Sequence, residues 1–278
     1  MSFETVRADV RLTELGLAPT REKARSLIMA GVVYKNGIKL EKAGAQVKPN
    51  DVLSVTDNAL PFVSRGGLKL LKAIEKYGLK LDGETAIDIG ASTGGFTDCM
   101  LQHGAQKVYS VDVGYGQLDW KLRNDERVVV MERTNARTIT PDMFGEEISF
   151  ASIDVSFISV RLILPALHGC LNDGATAVVL VKPQFEAGRE KVGKNGVVRE
   201  KETHREVLET VAEFAQNNGF AVKELDFSPI TGPKGNREFL LILNKTDNAA
   251  EKMPRDLLES KIRNVVDEAH ETLGREEE

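Results

Sequence analysis

The stretch AIDIGASTGGFTDCML, residues 86–101, decides the fold of this 278-residue chain. An apolar strand carries an acid at Asp88, a glycine-rich turn follows, and a helix is predicted to begin near Gly95. Glycine lets a backbone approach a ligand closely, and a helix N-terminus favours polar or anionic groups. The dinucleotide fingerprint G-x-G-x-x-G is missing, because Gly90 is followed by the letters A-S-T. The stretch therefore predicts a ligand-binding turn in an α/β sheet, without a cradle for a pyrophosphate.

The next predicted strand ends in a second acid, Asp112, where a carboxylate can bind a ribose hydroxyl. An acid, a glycine turn and a further acid together resemble the S-adenosylmethionine site of Rossmann-like methyltransferases. The resemblance implies S-adenosylmethionine as cofactor, with Asn135 at the adenine. The residues that it assigns to cofactor binding are Asp88, Gly90, Ser92, Thr93, Gly94, Gly95, Phe96, Asp112, Asn135 and Asp154. An NAD-type turn or a purely structural glycine turn is the alternative.

The composition is that of a globular protein, with 41% hydrophobic residues, 28% charged residues and a net charge of −5. No apolar run approaches the length of a membrane span, and the N-terminus lacks a secretory pattern. We therefore expect a cytoplasmic protein without a membrane partner. Cys99 and Cys170 lie in apolar segments, which predicts buried free thiols. The four histidines lack ligand spacing, so we expect no metal site.

The charge is unevenly distributed along the chain. Residues 1–60 contain 9 Lys and Arg against 7 Asp and Glu, whereas residues 246–278 contain 5 against 10. The acidic tail thus sets the overall sign, and the net charge does not argue against a nucleic-acid partner for the N-terminal part.

The pattern of elements predicts two domains and a tail. We place a small α/β domain at residues 1–58, a Rossmann-like domain at residues 59–246 and an acidic amphipathic helix at residues 247–278. Strands alternate with helices in the second domain, which predicts a Rossmann-like, mostly parallel seven-stranded sheet. The segment SPITGPKGN is too short for a helical crossover, so the last strand is predicted to be antiparallel. The tail helix is expected to pack on the body or on a second copy, and a dimer through it stays open.

Four polar residues stand where apolar ones would be expected. Asp154 and Lys182 follow two neighbouring parallel strands, and such strands place their carboxyl ends at one edge of the sheet. An antiparallel last strand begins at that same edge, where Glu238 stands, and Lys69 lies on the helix before the glycine turn. Each residue alone could be a surface charge, but together they predict one crevice with two lysines and two acids.

In order and context, Lys69, Asp154, Lys182 and Glu238 resemble the lysine–aspartate–lysine–glutamate tetrad of FtsJ-like ribose 2′-O-methyltransferases. The motif SRGGLKL after a small N-terminal domain is similar to the TlyA family over roughly residues 3–245. The N-terminal pattern R-x-D-x-R-L … G-L-A-x-T-R-x-K-A-R-x-L-I resembles the RNA-binding fold of small-subunit ribosomal protein four. Thr20 stands where serine is commoner, and Tyr34 where valine is usual.

The resemblance implies a mechanism and a substrate. Lys182 would accept the proton of a ribose 2′-hydroxyl, with Lys69 and Glu238 orienting that hydroxyl and Asp154 near the sulfonium. A lysine can be a base where its surroundings favour the free amine. The substrate implied is a cytidine of bacterial ribosomal RNA, free or in a ribosomal subunit. The residues expected to bind RNA are Arg7, Arg11, Arg21, Lys23, Arg25 and Arg65.

Three other classes of function stay open on the sequence. One is a non-catalytic RNA-binding or ribosome-assembly protein, and the intact tetrad argues against it. A second is a haemolysin-like, membrane-active protein, because TlyA-like proteins also carry haemolysin names. The third is a nicotinamide dehydrogenase, which the missing fingerprint disfavours.

Overall fold

The computed structural model describes residues 5–29, 31–40, 42–55, 61–232, 234–246 and 248–274. The chain divides into two compact units, Met1–Arg65 and Gly66–Glu278. The domain limits that we placed at residues 58 and 246 stay predictions, and residues 56–60 lie outside the described residues.

The N-terminal unit is a small α/β structure, as predicted. Its elements are β1 (Val6–Arg7), α1 (Ala8–Glu14), α2 (Arg21–Met29), β2 (Val33–Lys35), β3 (Ile38–Lys39), β4 (Gln46–Val47) and β5 (Leu53–Val55). β1 pairs with β4, and β2 lies between β3 and β5 in an antiparallel sheet. Asn36 and Gly37 have φ values of 52° and 80° and make the turn between β2 and β3. An Asn-Gly pair suits that turn because both central residues need positive φ.

The second unit is built on a seven-stranded sheet, which confirms the predicted fold class. Its strands are β6 (Thr85–Ile89), β7 (Lys107–Val111), β8 (Val128–Met131), β9 (Ile148–Ile153), β10 (Leu171–Val181), β11 (Phe220–Phe227) and β12 (Phe239–Lys245). Their order across the sheet is β11-β12-β10-β9-β6-β7-β8. β12 is antiparallel to both β10 and β11, and the pairs from β10 to β8 are parallel.

Helices precede, connect and follow the strands of this unit along the chain. They are α3 (Gly67–Tyr77), α4 (Gly95–Gln102), α5 (Trp120–Arg123), α6 (Leu164–Cys170), α7 (Pro183–Glu186), α8 (Lys201–Asn217) and α9 (Arg255–Gly274). The core is densest around β10, where residues 177–181 are fully buried. Consecutive side chains of a strand point to opposite faces of the sheet, so this strand is buried on both faces, which explains its unbroken apolar run. Cys99 and Cys170 are buried free thiols, as predicted.

The C-terminal helix α9 packs within this unit, against α8 and β11. Its buried residues are Leu258, Ile262, Val266, Ala269 and Leu273, whereas Leu257 is 48% exposed. The apolar face of α9 is therefore covered by the same chain, and a dimer through it stays a prediction. None of the helices in the described ranges is both long and apolar enough to cross a membrane.

Candidate active site

Two lysines and two acids meet at one edge of the seven-stranded sheet. The Nζ atom of Lys69 lies 2.7 Å from Glu238 Oε2 and 3.5 Å from Asp154 Oδ2. The Nζ atom of Lys182 lies 2.5 Å from Asp154 Oδ1. Asp154 is thus shared by both lysines, one on each carboxylate oxygen. The structure brings together all four side chains that the sequence singled out.

The topology of the sheet explains why residues distant in sequence meet here. β9 and β10 are parallel neighbours, so Asp154 and Lys182, which follow them, reach the same edge. β12 runs antiparallel beside β10, with Val181 opposite Phe239. Glu238 precedes β12 and therefore stands next to Lys182 at that edge.

Helix α3, which carries Lys69, is anchored by a buried acid on β11. Asp226 is 1% exposed and accepts hydrogen bonds from Lys72 Nζ at 2.8 Å and from Tyr77 Oη at 3.2 Å. Lys76 Nζ lies 2.9 Å from Oδ2 of the same carboxylate. Since Lys69 lies about one helical turn before Lys72, these contacts fix the rotation that turns Lys69 into the site.

The four charges balance in a nearly dry environment. Lys69, Lys182 and Glu238 are 8%, 7% and 2% exposed. Burial alone would raise the pKa of Asp154, but the ammonium groups of Lys69 and Lys182 outweigh burial and hold that pKa below its usual value. Burial alone would lower the pKa of Lys69, but Asp154 and Glu238 outweigh burial and hold that pKa above its usual value. Lys69 therefore stays protonated.

Ser156, which the sequence analysis missed, is a further partner of Lys182. Its Oγ atom lies 3.1 Å from Lys182 Nζ. Ser156 follows Asp154 by two residues in a segment without regular structure, so neither strand nor helix periodicity marks it. Its nearness to the acid at the end of β9 is the signal that could have indicated it.

A cavity of about 300 Å³ opens beside Asp154. Five of the residues predicted to bind the cofactor line this cavity: Gly90, Ser92, Asp112, Asn135 and Asp154. Its apolar lining residues are Ile89, Val111, Val113, Ala136, Val155, Phe157, Ile158 and Ile163. Apolar walls suit a nucleobase, and the carboxylates suit ribose hydroxyls and a cationic group, so the lining fits S-adenosylmethionine. The cavity is also lined by residues that the sequence patterns did not indicate, namely Thr134, Arg137 and residues 155–158.

The glycine turn and the second acid shape this cavity. Gly90 has a φ of 83°, and a Cβ atom there would lie 2.5 Å from the carbonyl oxygen of Asp154. Only glycine therefore lets the turn lie against the end of β9. The carboxylate of Asp112 accepts hydrogen bonds from the backbone N–H of Ser92 at 2.8 Å and of Gly114 at 2.7 Å. These bonds fix Asp112 and leave acceptor capacity for a ligand.

Asp88, for which a cofactor contact stays a prediction, is not among the residues that line the cavity. Asp88 is fully buried and accepts hydrogen bonds from Thr97 Oγ1 at 2.7 Å and Ser152 Oγ at 2.8 Å. Burial raises the pKa of Asp88 to about 6, against the effect of the two hydroxyls. Asp88 thus ties β6 to α4 and β9. Within the described residues, the cavity lining also leaves out Thr93, Gly94, Gly95 and Phe96.

Aromatic side chains lie at the mouth of the site. Phe157 lines the cavity, is 90% exposed, and has its ring centroid 5.1 Å from that of Phe185. An exposed aromatic residue directly after a strand end is the sequence signal for Phe157 that the analysis passed over.

In the N-terminal unit, three of the predicted RNA-binding arginines gather around one buried acid. The guanidinium groups of Arg7, Arg21 and Arg25 lie 2.9, 3.4 and 2.9 Å from Asp9 Oδ2. Asp9 is fully buried, whereas these arginine side chains are 44–50% exposed. The hydrogen bond from Arg7 holds the pKa of Asp9 far below its usual range. Asp9, which the sequence analysis missed, thus orders three cations that face solvent.

The other predicted RNA-binding residues are placed separately. Arg11 pairs with Glu14 at 3.1 Å, and Lys23 is half-buried on α2. Arg65 donates a hydrogen bond to the carbonyl oxygen of Met29 at 3.2 Å and so belongs to the N-terminal unit.

Comparison with protein families gives two matches. The FtsJ-like methyltransferase family matches residues 62–245, and the S4 domain family matches residues 6–53. The S4 match lies within the N-terminal unit, and the FtsJ-like match lies in the second unit apart from its first residues, 62–65.

Similar proteins extend over almost the whole chain. YqxC of Bacillus subtilis, which carries the name of an rRNA methyltransferase, is 53% identical over 98% of this chain and 97% of its own. The 16S/23S rRNA (cytidine-2′-O)-methyltransferase TlyA of Mycobacterium tuberculosis is 45% identical over 87% of this chain and 91% of its own. A solved structure from Streptococcus thermophilus, which carries a hemolysin name, is 50% identical with a TM-score of 0.79 and covers 99% of both chains.

Proposed function

Because the chain belongs to the FtsJ-like methyltransferase family, we propose that it methylates the ribose 2′-hydroxyl of a cytidine in bacterial ribosomal RNA, with S-adenosylmethionine as methyl donor. The observation that carries this proposal is the contact of Lys69, Asp154, Lys182 and Glu238 beside the cavity. The names of similar proteins support ribosomal RNA and cytidine as the substrate.

Residues of the cavity would hold the cofactor. Asp112 offers its carboxylate to the ribose hydroxyls, and Asn135 stands beside the apolar wall where the adenine would bind. S-adenosylmethionine supplies a methyl group that its sulfonium already activates for transfer. Asp154 lies between the cavity and the lysines, so its negative charge faces both.

The lysines divide the work on the acceptor hydroxyl. A ribose hydroxyl is a weak nucleophile and needs a proton acceptor within hydrogen-bond reach. Lys69 is held protonated by Asp154 and Glu238, so it donates hydrogen bonds and orients the hydroxyl oxygen. Lys182, whose Nζ atom contacts Asp154 and Ser156, is the proton acceptor: its ammonium group first releases a proton to solvent, and Nζ then takes the hydroxyl proton. The rest of the acceleration comes from alignment of the reacting atoms, which the rigid strand ends provide.

RNA would be held at two places. Bases stack readily on exposed aromatic rings, and Phe157 offers one next to the lysine cluster. The arginines around Asp9 carry positive charge on exposed side chains, which suits the phosphates of a folded RNA.

The test is transfer of a tritiated methyl group from S-adenosylmethionine to purified 30S and 50S subunits and to free ribosomal RNA. Wild type should label RNA, and alkaline hydrolysis should leave the label in a dinucleotide, because a 2′-O-methyl group blocks cleavage. Lys182→Ala should transfer at least about 100-fold more slowly, in the range lost with a general base. Lys182→Arg should be equally slow, since a guanidinium keeps the charge but cannot accept the proton.

Lys80→Ala is the matched control, because exposed Lys80 lies with Glu84 and Asn172 at the opposite edge of the sheet. It should retain wild-type rates. Cofactor binding by wild type without transfer to any substrate would contradict the proposal and leave an RNA-binding protein. Label in a base instead of a ribose would contradict the 2′-hydroxyl as acceptor.

A further inference from the structure

Two short segments that follow neighbouring strands are joined at successive points. We name residues 154–161 the Asp154 segment and residues 182–186 the Lys182 segment. The contacts between them, in chain order, are Lys182 with Asp154 and Ser156, Phe185 with Phe157, and Glu186 with Ser159, Val160 and Arg161. We name this series of contacts the attachment between the two segments. The contacts of Lys182 form one end of the attachment, and the contacts of Glu186 form the other end.

Glu186 makes the last of these contacts with both carboxylate oxygens. Its Oε2 atom accepts a hydrogen bond from Ser159 Oγ at 2.6 Å, and its Oε1 atom accepts one from the backbone N–H of Val160 at 2.7 Å. Arg161 Nε lies 3.4 Å from Oε2. The side chain is 2% exposed, and burial raises the pKa of Glu186 despite these contacts. A buried carboxylate is costly to place, and the proposed reaction does not use this one directly.

The backbone between the two ends of the attachment is strained. Phe157 has a φ of 66°, in the left-handed region that bulky side chains avoid. Its side chain is 90% exposed, so burial does not explain the conformation. A residue stays in such a conformation only where its surroundings fix it on both sides. Before Phe157, Ser156 contacts Lys182; after it, Ser159 and Val160 contact Glu186.

We propose that Glu186 is a positioning residue for methyl transfer. It fixes the Asp154 segment on the Lys182 segment, so that Asp154 and Ser156 stay on Lys182 and Phe157 keeps its exposed conformation. The inference rests on the proposed function and extends it to a carboxylate outside the tetrad. Since the Asp154 segment also lines the cavity, the same residue supports the cofactor site.

Three variants test this inference. Glu186→Ala removes all the contacts, Glu186→Gln keeps an acceptor for the Val160 N–H, and Glu190→Ala removes an exposed acid four residues further on. For Glu186→Ala we expect kcat for subunit methylation to fall about tenfold or more, with a KM for subunits within about threefold of wild type. S-adenosylmethionine binding, measured by calorimetry without RNA, should weaken several-fold. Glu186→Gln should keep most of both activities, and Glu190→Ala should match wild type.

The outcomes separate positioning from simple stabilisation. A purely structural role would lower the melting temperature of Glu186→Ala and leave kcat unchanged when measured well below that temperature. A kcat within twofold of wild type, or an equal loss in Glu186→Gln and Glu186→Ala, would overturn the inference. If wild type binds S-adenosylmethionine but labels no RNA, the proposed function fails and the inference falls with it as a statement about catalysis. In that case the calorimetric comparison still decides whether Glu186 orders the cavity.

A double-mutant cycle tests the contact from the other side. Ser159→Ala removes the hydroxyl that donates to Glu186 at 2.6 Å. If both residues act through this one contact, the double variant should have the kcat of Glu186→Ala alone, because effects of residues in one network do not add. Additive losses would show that the two side chains act independently, against the proposed attachment.

Discussion

Lysines and arginines meet carboxylates in both units of the molecule, but in different proportions. In the N-terminal unit, one buried acid, Asp9, faces three arginines whose side chains are about half exposed. In the second unit, two lysines face two acids, and three of the four residues are less than 10% exposed. The first arrangement leaves a surplus of positive charge at the surface, whereas the second is neutral in sum and shielded from water.

The difference shows what each arrangement can do. Exposed cations interact with phosphates over a distance set by salt, and they give binding without chemistry. Charges in a nearly dry site interact strongly, so the removal of one partner leaves another buried and unpaired. Substitutions among the exposed arginines should therefore lower the affinity for RNA. Substitutions in the lysine cluster should lower the rate of methyl transfer.

The largest expected effect comes from breaking the balance at the shared acid. Asp154→Asn removes the carboxylate that both lysines contact, so we expect the transfer rate to fall at least about 100-fold and S-adenosylmethionine binding to weaken. Asp112→Asn is the matched control, because Asp112 lines the same cavity but is held by the backbone N–H groups of Ser92 and Gly114. It should weaken S-adenosylmethionine binding and leave the rate at saturating cofactor within several-fold of wild type. Equal losses of saturated rate in both variants would refute the distinction.

A smaller effect is expected when the surplus of positive charge around Asp9 is reduced. Arg25→Ala should weaken binding to ribosomal subunits about tenfold at 0.1 M salt and leave the saturated transfer rate within twofold. The slope of log affinity against log salt should become shallower by about 1, as for the loss of one phosphate contact. Arg263→Ala, an exposed arginine on α9, is the control and should bind as wild type does. A rate loss in Arg25→Ala at saturating substrate would contradict the separation of binding from chemistry.

A third group of ionisable side chains contains two histidines. These histidines share a hydrogen bond, whereas the cations of the other two clusters share an acid. His204 on α8 and His270 on α9 lie 2.9 Å apart, Nδ1 to Nε2. Burial lowers the pKa of each to about 4, and Arg237 adds to both shifts. Arg205 and Lys201 lower the pKa of His270 further, and Asp267 opposes them.

The smallest expected effect is on stability at acid pH. The folded pKa of about 4 lies below the ordinary value of 6.5, so the unfolded chain binds more protons between these values and stability falls as the pH falls through that window. Counting only His204, which is fully buried, we expect a loss of about 1 kcal/mol from pH 6 to pH 5. Urea unfolding should show this loss, and His270→Gln, which keeps a hydrogen-bonding group without the charge, should reduce it. Parallel pH curves for both proteins would exclude the histidine pair as the cause.

The fold and the tetrad could be predicted from sequence because both follow from topology. Apolar runs separated by helices gave the parallel strands, and the short connection before Glu238 gave the antiparallel last strand. Once the directions of the strands are known, the edge at which Asp154 and Lys182 lie follows without any knowledge of loops. The direction of a side chain within a strand is harder, and Asp88 shows it: its carboxylate points to Thr97 and Ser152 instead of the cavity.

The residues that sequence reasoning missed depend on loop conformation or on contacts between distant elements. Ser156, Phe157 and Glu186 acquire their partners only when the Asp154 segment meets the Lys182 segment, and no periodicity encodes that meeting. In the sequence, Asp9 is an ordinary acid in the first turn of α1. Only the structure shows that it pairs with three arginines from β1 and α2.

The place of β12 between β10 and β11 has a consequence for the newly made chain. β10 is complete at Val181, but its antiparallel neighbour begins only at Phe239. At about 5–20 residues per second, synthesis takes several seconds to cover that interval. During that time β10 presents an unpaired apolar edge, a surface on which other chains can add strands. Glu238 directly precedes the strand that closes this edge, so the pairing of β12 with β10 both covers the apolar edge and brings Glu238 to Lys69.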